Sequence, residues 1–382
     1  MHLDSILRAE LAALEQTNLR RQLRAVDEEA LLNFAGNDYL GLSRHPALLE
    51  AALQATAERG TGAGASRLVT GTDRAVLALE EQLAAWKEKE AALIFGSGYA
   101  AALGTIPTLV GRGDTVILDK LSHASLIDAA RLSGANVRVF PHNDFGKLDA
   151  LLQKFSRARG ERRILIVTES IFSMDGDAAP LRELAELKER HGAWLLVDEA
   201  HATALYGTTG AGLIAEAGLS SRAEIVLGTL SKALGGIGGY IAGSRALIEW
   251  LVNRARSFIY STALPPGAIA ASRAAIELAR GEEGASLRAR LRENIARFHA
   301  GLPAAWKKQN LSSSAIQPLI CGEAAAALSL AAALRECGFL IPAIRYPTVP
   351  RHAARIRITL SAAHAPKAIT ALNDALATLA GK

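Results

Sequence analysis

Three apolar runs set the tightest limit on what this chain can fold into: Ile164-Leu165-Ile166-Val167, Trp194-Leu195-Leu196-Val197 and Ile225-Val226-Leu227. None alternates with polar residues as a half-wet strand does, so each reads as a strand buried on both faces. Between the first two, Leu181, Leu184 and Leu187 follow Pro180 at helical spacing. Strand, helix, strand at this interval predicts a mostly parallel sheet with right-handed crossovers, and so an α/β fold. In such sheets ligands bind beyond the carboxyl ends of the strands. The segments found there are TESIFSMDGD, DEAHATALYG and GTLSKALGGIGG. Polar groups just past successive strands converge on one edge of the sheet, which is how a site is built.

Beyond about residue 265 the pattern changes. Leu287, Leu291, Ile295 and Phe298 mark an amphipathic helix, and AAAALSLAAALRECG reads as another, ended by Gly338. RIRITLSA then alternates as a strand with one exposed face. These features predict an N-terminal helix and arm over 1–45, a large domain over 46–265 and a smaller α+β domain over 266–382.

Half of the 382 residues are hydrophobic, enough for a large core. The net charge of +5 is spread among Asp and Glu, with no basic stripe for nucleic acid. Asp4, Glu10 and Glu15 interrupt the first apolar positions, so no signal peptide is read there. The uncharged stretch from Ala91 to Gly111 is broken by Gly96, Ser97, Gly98, Gly104 and Pro107. It fits a strand, a glycine turn and a buried helix better than a membrane span. Cys321 and Cys337 are the only cysteines, which suits a reducing, cytoplasmic setting.

Lys232 stands in a glycine-rich turn, with Thr229 and Ser231 before it and Gly235, Gly236, Gly238 and Gly239 after it. That setting suits either a surface lysine or an amine held near an aldehyde and a phosphate anchor made of hydroxyls and backbone N–H groups. Asp198, at the end of a buried run, serves either as a cap or ion-pair partner, or as the partner of a pyridinium nitrogen. His201 is a core histidine or part of the same site. Gly98 and Tyr99 sit where a strand gives way to a helix, as a tight turn or as amides facing a phosphate with an aromatic near a ring. His123 and His142 match no compact metal spacing, and no metal is expected.

Taken in order, NFAGNDYLGLS, GTGAGASRLVTG, DKLSHASLIDAA, HND, TESIFSMDGD, VDEAH, GTLSKALGG, FIYSTALPP and PTVP…RIRITLSAAH resemble the α-oxoamine synthases. These fold-type I enzymes use pyridoxal 5′-phosphate (PLP) to condense an amino acid with an acyl-CoA. NDYLGLS, LSHASL, IYSTALPP and AIRYPTVP resemble the branch that joins L-alanine to pimeloyl-CoA or pimeloyl carrier protein, with loss of CO2. A related activity, acetyl transfer to glycine, and a PLP-binding regulator without turnover are the alternatives.

The resemblance implies a role for each matching residue. Lys232 is the Schiff-base lysine, and Asp198 partners the pyridine nitrogen. His201 and Ser173 bond near the phenolic oxygen, and His123 stacks over the ring. Thr229 with the backbone of Gly98 and Tyr99 holds the phosphate. Asn37 lies at the substrate end, and Arg345 takes the amino-acid carboxylate through a planar fork. Arg20 and Thr348 match substrate-contacting positions. A homodimer with shared sites is implied, in which Ser261 and Thr262 reach the partner's phosphate. The chain departs from the family pattern at Ala102, Ala202, Ala204 and Tyr346.

Overall fold

The computed structural model describes residues 2–23, 25–26, 31–157, 162–309 and 311–380. They form two compact units, one of residues 38–173 and 177–289, the other of residues 1–37, 174–176 and 290–382.

The larger unit is built on a seven-stranded sheet. Its order is Ala91–Phe95, Gly239–Gly243, Ile225–Thr229, Trp194–Asp198, Ile164–Glu169, Thr115–Asp119 and Asn136–Phe140. Only Gly239–Gly243 runs against its neighbours; the remaining ladders are parallel. The three apolar runs are the three middle strands, and their residues from Ile164 to Val167 and Leu195 to Val197 are almost fully buried. Burial on both faces explains the missing alternation, since no residue of these strands needs to meet water. The Ala91–Gly111 stretch forms the strand Ala91–Phe95 and the helix Gly98–Leu109. Ala102 and Ile106 of that helix join Leu93, Val116 and Leu165 in the core, so Ala102 is a packing residue here. Among the described residues no helix is long and apolar enough to cross a membrane.

Residues 266–289, read above as the start of the second domain, lie in the larger unit. Helix Pro266–Arg280 buries Ile269, Ala275 and Ile276, and Gly267 comes so close to helix Pro46–Arg59 that a Cβ there would stand 2.5 Å from Thr56 Oγ1. That close packing ties the helix to the larger unit.

The smaller unit holds a three-stranded antiparallel sheet in the order Ala343–Ile344, Ala354–Thr359, Ile316–Gly322. Leu32–Asn33 pairs in parallel with Phe339–Leu340. Helix Glu282–Gly301 begins in the larger unit, which holds Leu287, and continues in the smaller one; Leu287, Leu291 and Phe298 are buried as their spacing predicts, and Ile295 is half-buried. The strand read from RIRITLSA corrects the expectation of a wet face: every residue of Ala354–Thr359 is buried. The alternating arginines are enclosed because each finds polar partners. Arg355 Nη1 donates to Asp175 Oδ1 at 2.6 Å, and Arg357 Nη1 donates to Thr359 Oγ1 at 2.9 Å and to Asn37 Oδ1 at 3.2 Å. Burial of a charge is tolerated when such bonds replace its hydration.

Candidate active site

The carboxyl ends of the middle strands bring the polar segments of the larger unit together. Asp198 closes Trp194–Asp198, the fourth of the seven strands, and accepts from the Ala200 N–H at 2.8 Å. Its carboxyl is raised above the usual range by burial, against the opposing charge of Lys232. Three residues on, His201 is buried and bonded on both ring nitrogens. Nδ1 lies 2.6 Å from Tyr39 Oη, and Nε2 lies 2.8 Å from Lys232 Nζ.

Lys232 sits in a tight turn after strand Ile225–Thr229. Leu230 N–H donates to Gly238 O, Gly236 N–H to Leu230 O, and Thr229 Oγ1 to Gly238 O at 2.8 Å. Thr229 Oγ1 is also 2.7 Å from Ser231 Oγ. Gly239, just past the turn, passes so close to helix Gly98–Leu109 that a Cβ would stand 2.4 Å from Gly98 N and Ser97 C. Only a glycine allows that approach, and it sets the lysine turn against the helix N-terminus. Ser97 caps that helix by accepting from Ala100 N–H at 3.0 Å, while the first-turn amides of Gly98 and Tyr99 have no acceptor within the helix. Tyr99 is exposed, and its hydroxyl donates to Asp128 Oδ2 at 2.5 Å.

His123 caps helix Ala124–Leu132, with Nδ1 2.8 Å from Ser125 Oγ. Partial desolvation holds this imidazole below its ordinary value; Asp198 opposes the shift and Lys232 adds to it. Ser173 is buried, and its N–H donates to Glu169 Oε2 at 3.2 Å. Lys232, Asp198 and His123 act on one another electrostatically, His201 is hydrogen-bonded to Lys232, and Ser173 joins them through Glu169, on which both Asp198 and Lys232 act.

Ser261 and Thr262 belong to a different feature of the same unit. Thr262 bridges to Ser66, and Ala263 N–H donates to Ala65 O, so this pair is anchored to the Gly60–Gly71 loop. Arg67 holds that loop through a two-pronged bond to Glu80, at 2.8 and 2.9 Å.

Arg20, Asn37, Arg345 and Thr348 all fall in the smaller unit. Arg345 Nη2 donates to Arg20 O at 2.8 Å, and Thr348 Oγ1 accepts from Arg21 Nη2 at 3.1 Å. Arg345 Nε is buried with no hydrogen-bond partner among the described residues. Asn37 is held by Arg357, as above. Ala204 lies at φ 69°, in the left-handed region that favours glycine. Tyr346 is exposed with Arg351 over its ring at 4.5 Å.

Sequence reasoning missed Tyr39, Glu169 and Arg357. Tyr39 and Glu169 stood inside quoted motifs, but neither has a spacing that announces a bond to His201 or a place beside Asp198. Arg357 also stood inside a quoted motif, RIRITLSAAH, as a charged residue among apolar neighbours in a strand.

The residues present fit PLP. A half-buried amine, a buried carboxylate, a histidine bonded to both Lys232 and Tyr39, and a helix N-terminus pressed against a hydroxyl-bearing turn supply what its aldehyde, ring nitrogen and phosphate need. The class I and II aminotransferase family model matches residues 29–376. An 8-amino-7-oxononanoate synthase of Anaeromyxobacter dehalogenans is 48% identical over 97% of this chain and 94% of its own. One from Geobacter sulfurreducens is 46% identical over 93% of each. The chain belongs to the class I and II aminotransferase family, among the 8-amino-7-oxononanoate synthases. A serine palmitoyltransferase from S. paucimobilis, solved with a PLP–myriocin adduct, superposes with a TM-score of 0.90 at 28% identity, covering 99% of this chain and 98% of that one. With this membership the chain is a PLP-dependent enzyme of the transferase kind.

Proposed function

We propose that the chain condenses L-alanine with the pimeloyl thioester of CoA or of a carrier protein, releasing the thiol and CO2 and forming 8-amino-7-oxononanoate. The observation that carries the reading is Lys232 Nζ, 2.8 Å from His201 and acting on Asp198, in a chain 46–48% identical to synthases of that name.

PLP, when bound, supplies an aldehyde for an amine and an electron-poor ring that takes up an electron pair left at Cα. With PLP bound, Lys232 would hold its aldehyde, and the Lys232 amine is the group placed to take the Cα proton. Asp198 holds a proton at the pyridine nitrogen. His123, kept neutral by its setting, would lie over the ring and donate a hydrogen bond to the substrate carboxylate or the incoming carbonyl. Thr229 and the Gly98–Tyr99 amides hold the phosphate. In the substrates, the Cα electron pair attacks the thioester carbonyl, the C–S bond breaks with the thiolate leaving, the alanine carboxylate departs as CO2, and a proton returns to Cα.

The carboxylate anchor we propose is an arginine. The resemblance points to Arg345, but Arg357 has the stronger claim. It is 4% exposed and held by Thr359 and Asn37, the fixed geometry a bidentate fork requires. Arg20 and Thr348 are proposed to contact the substrates as well.

A cytoplasmic homodimer is the state we propose. Two free cysteines suit a reducing compartment. The N-terminal helix buries none of its residues, and Leu3, Leu7, Leu53, Leu68 and Val69 are exposed, apolar surface that a second copy would cover. In that dimer Ser261 and Thr262 reach the partner's phosphate.

Mass-spectrometric product analysis tests the activity. With L-alanine and a panel of acyl-CoA thioesters, the expected main product is 8-amino-7-oxononanoate. Faster turnover of glycine with acetyl-CoA overturns the reading in favour of acetyl transfer.

A further inference from the structure

One buried acid of the site has no task in this scheme. Glu169 ends strand Ile164–Glu169, and its Cα pairs with that of Asp198 across the parallel ladder. It is 2% exposed. Its Oε2 accepts from Ser173 N–H at 3.2 Å, and the main-chain amide of His123 also acts on it. Its Oε1 has no hydrogen-bond partner among the described residues. Two loops expected to touch the cofactor therefore meet at one carboxyl.

Glu169 and Asp198 are neighbouring buried carboxyls that share one cation, Lys232. Like charges in a desolvated place cannot both persist cheaply, so such a pair keeps one proton. Asp198 accepts a 2.8 Å bond from Ala200 N–H, and Lys232 is the strongest charge acting on it. For Glu169 burial and then the charge of Asp198 outweigh Lys232, and its carboxyl is pushed well above the usual range. The negative charge settles on Asp198 and the proton on Glu169.

We propose that Glu169 is a positioning residue that stays in the site as the neutral acid, tying the His123 and Ser173 loops together and leaving Asp198 as the carboxylate. This rests on the reading that PLP binds here, and it adds a reason for Asp198 to remain charged: its neighbour absorbs the cost of the pair.

Infrared difference spectra of the PLP-loaded full chain, wild type minus Glu169→Gln, test the protonation state near neutral pH. The expected result is a protonated-carboxyl carbonyl band that shifts on 13C-glutamate labelling of the wild type and not on 13C-aspartate labelling. A band that follows aspartate labelling, or no protonated band, overturns the proposal, and the labelled wild type decides this even if the variant does not fold. PLP dissociation constants test the positioning role without any substrate, so they stand whether or not the expected product forms. Glu169→Gln keeps an acceptor for Ser173 N–H and is expected to stay within about 3-fold of wild type, while Glu169→Ala weakens binding by about 10-fold or more. Equal losses in both variants overturn the role.

Discussion

Lys232 reads from the sequence because its chemistry is local: a lysine, two hydroxyl residues and four glycines lie within eleven positions of one another. Asp198 and His201 read for the same reason, as polar residues directly after a buried run. Tyr39 does not, since its 2.6 Å bond to His201 joins residues 162 positions apart, and no periodicity records such a meeting. The arginines show the same limit. Both arginines stand in quoted motifs, but nothing in the sequence announces the bond of Arg357 to Asn37, 320 residues away. A kinetic comparison separates them. Lysine keeps the charge but loses the planar fork, so Arg357→Lys is expected to raise the alanine KM by about 10–100-fold and leave the acyl-CoA KM nearly unmoved. Arg345→Lys is expected to do less. The reverse order places the carboxylate on Arg345.

At the scale of elements, apolar runs betrayed the middle strands because burial on both faces leaves a mark that no wet strand carries. The strand Ala354–Thr359 was misread by the same logic. Its two arginines gave an alternation that normally signals water, but Asp175 and Asn37 replace the water, and both come from distant segments. His142 illustrates how ion pairs fix loops at the sheet edge. It bridges Asp119, at 3.0 Å, and Asp177, at 2.7 Å, and packs edge-on against Phe172. Burial opposes its charge, but these two carboxylates win and raise its pKa to about 10. The folded value lies above the ordinary 6.5, so the bridge stabilises the fold fully below that pH. The contribution falls as pH rises towards and through 10. Because Asp177 is partly exposed, the loss is on the order of 1–2 kcal/mol. Thermal unfolding between pH 7 and 10 is expected to show this decline in wild type and to lack it in His142→Gln. An equal slope in both proteins shows that His142 does not titrate in this way.

For the whole molecule, the division into units follows packing more than sequence order. A change of composition near residue 265 suggested a boundary, but helix Pro266–Arg280 packs on Pro46–Arg59 and stays with the larger unit. Three residues of the TESIFSMDGD loop, 174–176, instead join the smaller one, where Asp175 pairs with Arg355. Such exchanges leave no trace in local pattern, because they are decided by contacts between segments far apart in the chain. The chemistry proposed for the molecule turns on a single amine, Lys232 Nζ. Borohydride reduction of the PLP-loaded chain, followed by intact-mass and peptide analysis, tests that claim directly. The expected result is one pyridoxyl phosphate group per chain, carried on Lys232 and absent from Lys232→Ala. A reduced adduct on any other lysine, or an unchanged adduct in Lys232→Ala, contradicts it.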